Sequence, residues 1–171
     1  MPPELSKAPV VVFACGNPSR GDDALGPMLL DRLQGWLDAQ GLAGSFELIG
    51  DFQLQIEHAL DVAGRGLALF IDAGHGTPAP LVFREAFAME RAGHSTHALP
   101  PESVLAVLPR ISGEVPPAAF VLCVRGEEFE LGEGLSEAAK IHAEKAFDLL
   151  RQLCLDATVD VWRSEASRRT Q

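Results

Sequence analysis

Three short runs of the chain are apolar at consecutive positions: VVVFAC at 10–15, LALFI at 67–71 and AFVLCV at 119–124. A strand with one wet face alternates polar and apolar residues, because successive side chains point to opposite faces. A strand without that alternation has to be covered on both faces, as in a parallel sheet sandwiched between helices. The segments between these runs have helical period. Leu25, Met28, Leu29, Leu33, Trp36 and Leu37 recur at helical spacing, and Pro27 fits only a first turn. This helix is therefore expected to start close to Asp23 and to stop at Gly41. A short strand is expected at 46–49, followed by a helix capped by Asp51 and running through Leu54, His58 and Leu60 to Val62. The run 81–87 reads as an edge strand and 91–97 as loop. Pro100 and Pro101 open a helix carrying Val104, Leu105, Val107 and Leu108. Ser136 is the expected N-cap of a long amphipathic helix ending near Leu155. The tail from Thr158 lacks a core pattern and is expected to fray. Strands alternating with helices predict an α/β fold: a three-layer α/β/α sandwich with a mostly parallel twisted sheet and helices on both faces. A single domain with its core at 9–157 is expected.

In such a sheet, ligands bind outside the carboxyl ends of the strands. Conspicuous residues follow three of the predicted strands, at 16–23, 72–75 and 125–128. The first of these, GNPSRGDD, lacks the glycine spacing of a dinucleotide loop and the GK[ST] ending of a phosphate-cradling one. Asp22 and Asp23 would repel a phosphate and attract a cation, and Arg20 offsets this only in part. The loop therefore reads as a cation or proton site, with helix capping as the plain alternative for either aspartate. Gly16 and Asn17 read as turn formers.

Asp72 ends a buried strand, where a charge is otherwise unwelcome. It is a candidate functional carboxylate, or else the start of an Asx turn helped by Gly74 and Gly76. His94 and His97 are three residues apart, and His75 follows Asp72 closely. Asp23, Asp72 and one histidine of the 94–97 stretch would form an O, O, N set drawn from three segments. Such a set suits nickel, zinc, iron or cadmium better than calcium. His58 and His142 sit on predicted helices and read as boundary residues.

Composition narrows the function classes. There are 24 acidic residues against 14 basic ones, a net charge of -10, which argues against nucleic acid and anionic membrane surfaces. Neither a signal peptide nor a bilayer-spanning run is visible, so a cytoplasmic protein is expected. The three cysteines never fall at CxxC spacing. Cys15 and Cys123 lie in apolar runs and are expected to be small core residues, and Cys15 has no basic partner to activate it. There is no HExxH motif and no sign of a Ser-His-Asp triad.

Three ordered motifs carry a resemblance. FACGNPSRGDDALGP at 13–27 resembles the opening motif of the hydrogenase maturation proteases, LFIDAG at 69–74 their second, and HSTHAL at 94–99 their third. The segment FVLCVRGEEFELGEGLSEAAK resembles their last strand and helix, so that the similarity covers residues 9–153. The resemblance implies an α/β/α sandwich and a cytoplasmic endopeptidase. Such an enzyme trims the C-terminal extension of a nickel-loaded [NiFe] hydrogenase large-subunit precursor.

The same resemblance implies that Asp23, Asp72 and His97 are the metal-binding positions, with Asp23 and Asp72 also the catalytic candidates. Many relatives carry glutamate where this chain has Asp23. The metal is then the nickel of the substrate, with no tightly bound cofactor of the enzyme's own. The expected partner is the precursor alone, with neither nucleic acid nor membrane, and the expected state is a monomer. Two rivals stand beside this reading: a receiver-like domain holding magnesium on its acids, and a non-catalytic hydrogenase assembly chaperone. A nucleotide- or flavin-binding domain is disfavoured by the missing phosphate motif.

Overall fold

The computed structural model describes residues 6–90 and 99–170. Five strands and five helices follow in the order β1 (Val10–Cys15), α1 (Leu25–Gln40), β2 (Phe46–Asp51), α2 (His58–Val62), β3 (Leu67–His75), β4 (Leu81–Ala86), α3 (Pro101–Ser112), β5 (Ala118–Gly126), α4 (Glu137–Leu155) and α5 (Val159–Arg169). The sheet order is β2-β1-β3-β5-β4. β4 is an antiparallel edge strand, and the other pairs are parallel. The expected three-layer α/β/α architecture is present.

The uninterrupted apolar runs divide between the two faces as the pleat requires. Val10, Val12 and Ala14 pack with Leu29, Leu33, Phe147 and Leu150 on the side of α1 and α4. Val11 and Phe13 pack with Val62, Val104, Leu105 and Leu108 on the side of α2 and α3. The chain leaves β1 through α1 toward β2 on one side, and leaves β3 toward β4 and β5 on the other. The connections that leave the carboxyl ends of the paired strands β1 and β3 therefore diverge, and a crevice opens at this switch of direction.

Several local features follow the sequence reading. Gly41 ends α1 in the left-handed conformation, with φ 71°. The Ser136 hydroxyl accepts a bond from Ala139 N at 3.1 Å and caps α4. α1 begins at Leu25, because Gly21–Ala24 forms a 3-10 turn ahead of it. The helix expected from Asp51 is only the five residues of α2. Asp51 closes β2 instead, its carboxylate accepting from Phe52 N at 2.7 Å. Leu54 is the buried apolar residue of 52–57, while Phe52 and Ile56 are exposed, so a helix there would have little to bury.

The expectation of a frayed tail is overturned. Residues Val159–Arg169 form α5, which Thr158 caps by accepting from Val161 N at 3.3 Å. Its buried stripe is narrow, only Trp162 and Ala166, one turn apart. Trp162 is 0% exposed, packs edge-on against Phe120 and Phe83, and donates its indole N–H to Leu153 O at 2.9 Å. One large aromatic supplies the apolar area that periodicity counts miss. Trp162→Ala is expected to destabilise the protein by roughly 3–5 kcal/mol, measured by denaturant unfolding. A frayed tail would leave the midpoint unchanged.

Candidate active site

The loop after β1 folds back over the end of its own strand. Gly16 sits at φ 147°, and a Cβ there would run into the carbonyl oxygen of Asp23. Asn17 N donates to Asp23 Oδ2 at 2.7 Å. Arg20 N donates to Asn17 O at 3.1 Å and Asp23 N to Arg20 O at 3.0 Å. These bonds place Asp23 in the wall of the crevice, and Gly16 and Asn17 shape the loop as expected.

The two neighbouring aspartates divide into separate roles, and neither caps α1. Asp22 is 0% exposed. Its Oδ2 accepts from Glu127 N at 2.7 Å, Glu128 N at 3.0 Å and the Ser136 hydroxyl at 2.7 Å, and its Oδ1 accepts from Ser136 N at 2.7 Å. Burial pushes its pKa up, but the donors from Ser136, Glu127 and Glu128 outweigh this and hold it below the ordinary value. With its oxygens so occupied, Asp22 is a structural anchor between the first loop and the entry to α4.

Asp72 leaves β3 at the level of the crevice. Ala14 pairs with Ile71, so Cys15 stands beside Asp72. Asp72 in turn pairs with Cys123, and Cys123 with Val82. This row crosses four strands and borders a cleft of about 590 Å³ that Asp23 also lines. The carboxylate of Asp72 opens to solvent at the mouth of the cleft, with protein crowding its other sides. Burial pushes its pKa from 3.8 up to about 6, the nearby charge of Asp23 adds to the rise, and the Ala73 N–H at 2.8 Å opposes it. Two carboxylates lining one cleft can together hold a cation, and the raised pKa of Asp72 suits it to proton transfer.

Both cleft thiols stay protonated. Burial pushes Cys15 to about 12, helped by the charges of Asp72, Asp51 and Asp23. Burial also raises Cys123, against a bond to Thr77 Oγ1 at 3.2 Å. Neither is a ready nucleophile. Both are half-buried cleft residues that rest on the core, where the sequence suggested core residues outright.

The remaining candidates separate cleanly. His75 is exposed beside Phe129, with 6.1 Å between ring centroids, and does not line the cleft. His58 is buried, accepts at Nδ1 from Gln55 N at 2.8 Å and lies 3.4 Å from Asp51. His142 Nδ1 is 3.1 Å from Arg125 O. His94 and His97 lie outside the described residues. Leu99, two residues beyond His97, lines the cleft. Among the described residues, no three His, Cys, Asp or Glu side chains are gathered to hold a metal. The space beside Gly74 is filled by Thr77 and Cys123. Sequence reasoning passed over Arg84, which lines the cleft from β4; its one signal is the alternation of LVFREA, which puts Val82 and Arg84 on one face.

No family model matches the sequence, and no curated protein matches it. Solved structures do. The chain is similar to a [NiFe] hydrogenase maturation protease, HycI, from Thermococcus kodakarensis KOD1, with 24% identity over 89% of this chain and 96% of that one and a TM-score of 0.64. It is similar to the hydrogenase maturating endopeptidase HybD from E. coli, with 21% identity over 84% and 91% of the two chains and a TM-score of 0.60. A hydrogenase 2 maturation peptidase from a Thaumarchaeota archaeon gives 20% identity over 84% and 96%, with a TM-score of 0.57.

Two expectations follow from the site. Asp22→Ala leaves several buried donors unmatched and should cost roughly 3 kcal/mol or more in denaturant unfolding. For Asp72, the folded pKa exceeds the unfolded one, so its contribution to stability is full below 3.8 and is lost as pH rises through about 6. Asp72→Asn should therefore raise the melting temperature above the upper value and leave it unchanged below the lower one, by calorimetry across pH. The likeness to the maturation proteases, at identities under a quarter, is one of fold: this chain has the α/β/α fold of those solved structures.

Proposed function

We propose that the chain is an endopeptidase that removes the C-terminal extension of a nickel-loaded [NiFe] hydrogenase large-subunit precursor. The observation that carries this reading is the pair of Asp23 and Asp72 in one cleft at the β1–β3 switch point, in a fold shared with the solved maturation proteases. Asp23, Asp72 and His97 complete the coordination of the nickel that the precursor brings. Carboxylates with imidazole suit nickel, and two carboxylates alone make a weak site. Metal-loaded precursor therefore docks and empty precursor does not, and the metal registers the scissile bond against the cleft. Asp72 accepts the proton of the attacking water. In the free enzyme its pKa is raised to about 6, which still leaves it ionised at neutral pH.

The anchoring of Asp22 weighs against the receiver reading, which needs both acids of the pair at the metal. Arg125, the residue near the end of β5, is bound to Glu127 at 2.6 Å and to Thr77 O at 3.1 Å rather than directed at Asp72. The chaperone reading differs only in the absence of cleavage.

Mass spectrometry of precursor incubated with wild type and with Asp72→Asn tests the proposal. The expected result is loss of a C-terminal peptide from nickel-loaded precursor alone and from wild type alone, with kcat/KM, which reports the free enzyme, rising as pH climbs through about 6. Cleavage by Asp72→Asn at the wild-type rate would overturn the assignment. Binding without cleavage would favour the chaperone.

A further inference from the structure

The cleft differs in chemistry from one end to the other. Asp23 and Asp72 stand at the β1–β3 end, Arg84 projects from β4 at the other, and Phe70, Val121 and Cys123 contribute to the lining between them. The register fixes the offset. Asp72 is level with Cys123 and Val82, whereas Arg84 is level with Val121 and Phe70. Arg84 thus lies two strands across and two residues back from Asp72. At strand spacings of about 4.8 Å and a rise of about 3.3 Å per residue, the two Cα atoms are roughly 12 Å apart, the length of three to four residues of extended chain.

Arg84 is the one cationic side chain among the described residues lining the cleft, in a chain of net charge -10. Glu102 accepts from its Nη1 at 2.6 Å and steadies it against the wall, while the side chain remains 43% exposed. A guanidinium presents its donors in a fork that matches a carboxylate.

We propose that the apolar arm of the cleft is a subsite for the departing extension, bound as extended chain, with Arg84 selecting an acidic side chain three or four residues beyond the scissile bond. This rests on the endopeptidase reading, in which the residues before the bond belong to the part of the precursor that holds nickel and only the extension is free to lie extended. The exposure of Arg84 leaves the chain room to continue past it, which favours a side-chain carboxylate over a terminal one. The acidic surface elsewhere repels such a peptide, so a single cation at the right offset discriminates by contrast.

The test is fluorescence anisotropy with an amidated, fluorescein-labelled octapeptide carrying three valines followed by aspartate, and its alanine counterpart. It is read against wild type, Arg84→Gln and Glu102→Gln. Losing either the peptide aspartate or the Arg84 charge should weaken binding about tenfold, and losing both should weaken it no further. Glu102→Gln breaks the same ion pair but keeps the cation, so it should bind at least as well as wild type. Equal weakening by Glu102→Gln and Arg84→Gln would reduce Arg84 to a structural role and overturn the proposal. So would equal binding of the aspartate peptide and its alanine counterpart by wild type.

With nickel-loaded precursor, Arg84→Gln should raise KM about tenfold with kcat unchanged, and Arg84→Glu should recover on an extension carrying lysine at the selected position. If wild type cleaves nothing while peptide binding keeps its dependence on Arg84, the endopeptidase reading fails and the acidic-peptide subsite stands.

Discussion

The buried carboxylate of Asp22 is the contact on which the geometry of the cleft depends. It gathers three backbone N–H groups and one hydroxyl from the segment that leads into α4, and so ties the loop after β1 to the segment that follows β5. An unpaired charge in that position would be costly, but one surrounded by donors is held in a single place. Because Asp23 is the next residue, fixing Asp22 also fixes the direction in which Asp23 leaves the chain. The bond from Asn17 N then sets its carboxylate. The structural acid and the candidate functional acid are adjacent, and the first positions the second.

The site that results is an electrostatic arrangement more than a collection of reactive groups. Asp23, Asp51 and Asp72 stand close enough to one another's neighbourhood that all three raise the Cys15 thiol, which burial already disfavours as an anion. Burial, with a smaller push from the charge of Asp23, raises the pKa of Asp72 to about 6. A cation entering the cleft would relieve these repulsions together. This is the physical reason for preferring a substrate-borne metal over a covalent thiol mechanism. Arg84 answers the acidic pair from the opposite end of an apolar floor, and this gives the cleft a direction that an extended chain can follow.

Much of the architecture was legible because burial on two faces leaves an unmistakable pattern. VVVFAC, LALFI and AFVLCV admit no wet side, so a helix-covered parallel sheet was required. The alternating run at β4 indicated an edge, and Gly41 and Ser136 marked helix ends through local backbone chemistry. α5 was illegible because its attachment depends on one tryptophan and one alanine, too few to register as a period. The capping role expected of Asp51 failed for a related reason: the residues after it have little apolar surface to bury, and the strand retained the aspartate.

The sequence by itself determined the layers of this protein and the placing of acids at strand ends, since both follow from near neighbours along the chain. It also carried the resemblance that singled out Asp23 and Asp72. Only the tertiary structure decided what Asp22 does, that the space beside Gly74 is taken by Thr77 and Cys123, and that Arg84 faces the carboxylates across the cleft. Asp22 and Gly74 meet Ser136 and Cys123 from dozens of residues away, and strand register sets the offset of Arg84 from Asp72. A side chain's role at such a site is set by what the fold places opposite it.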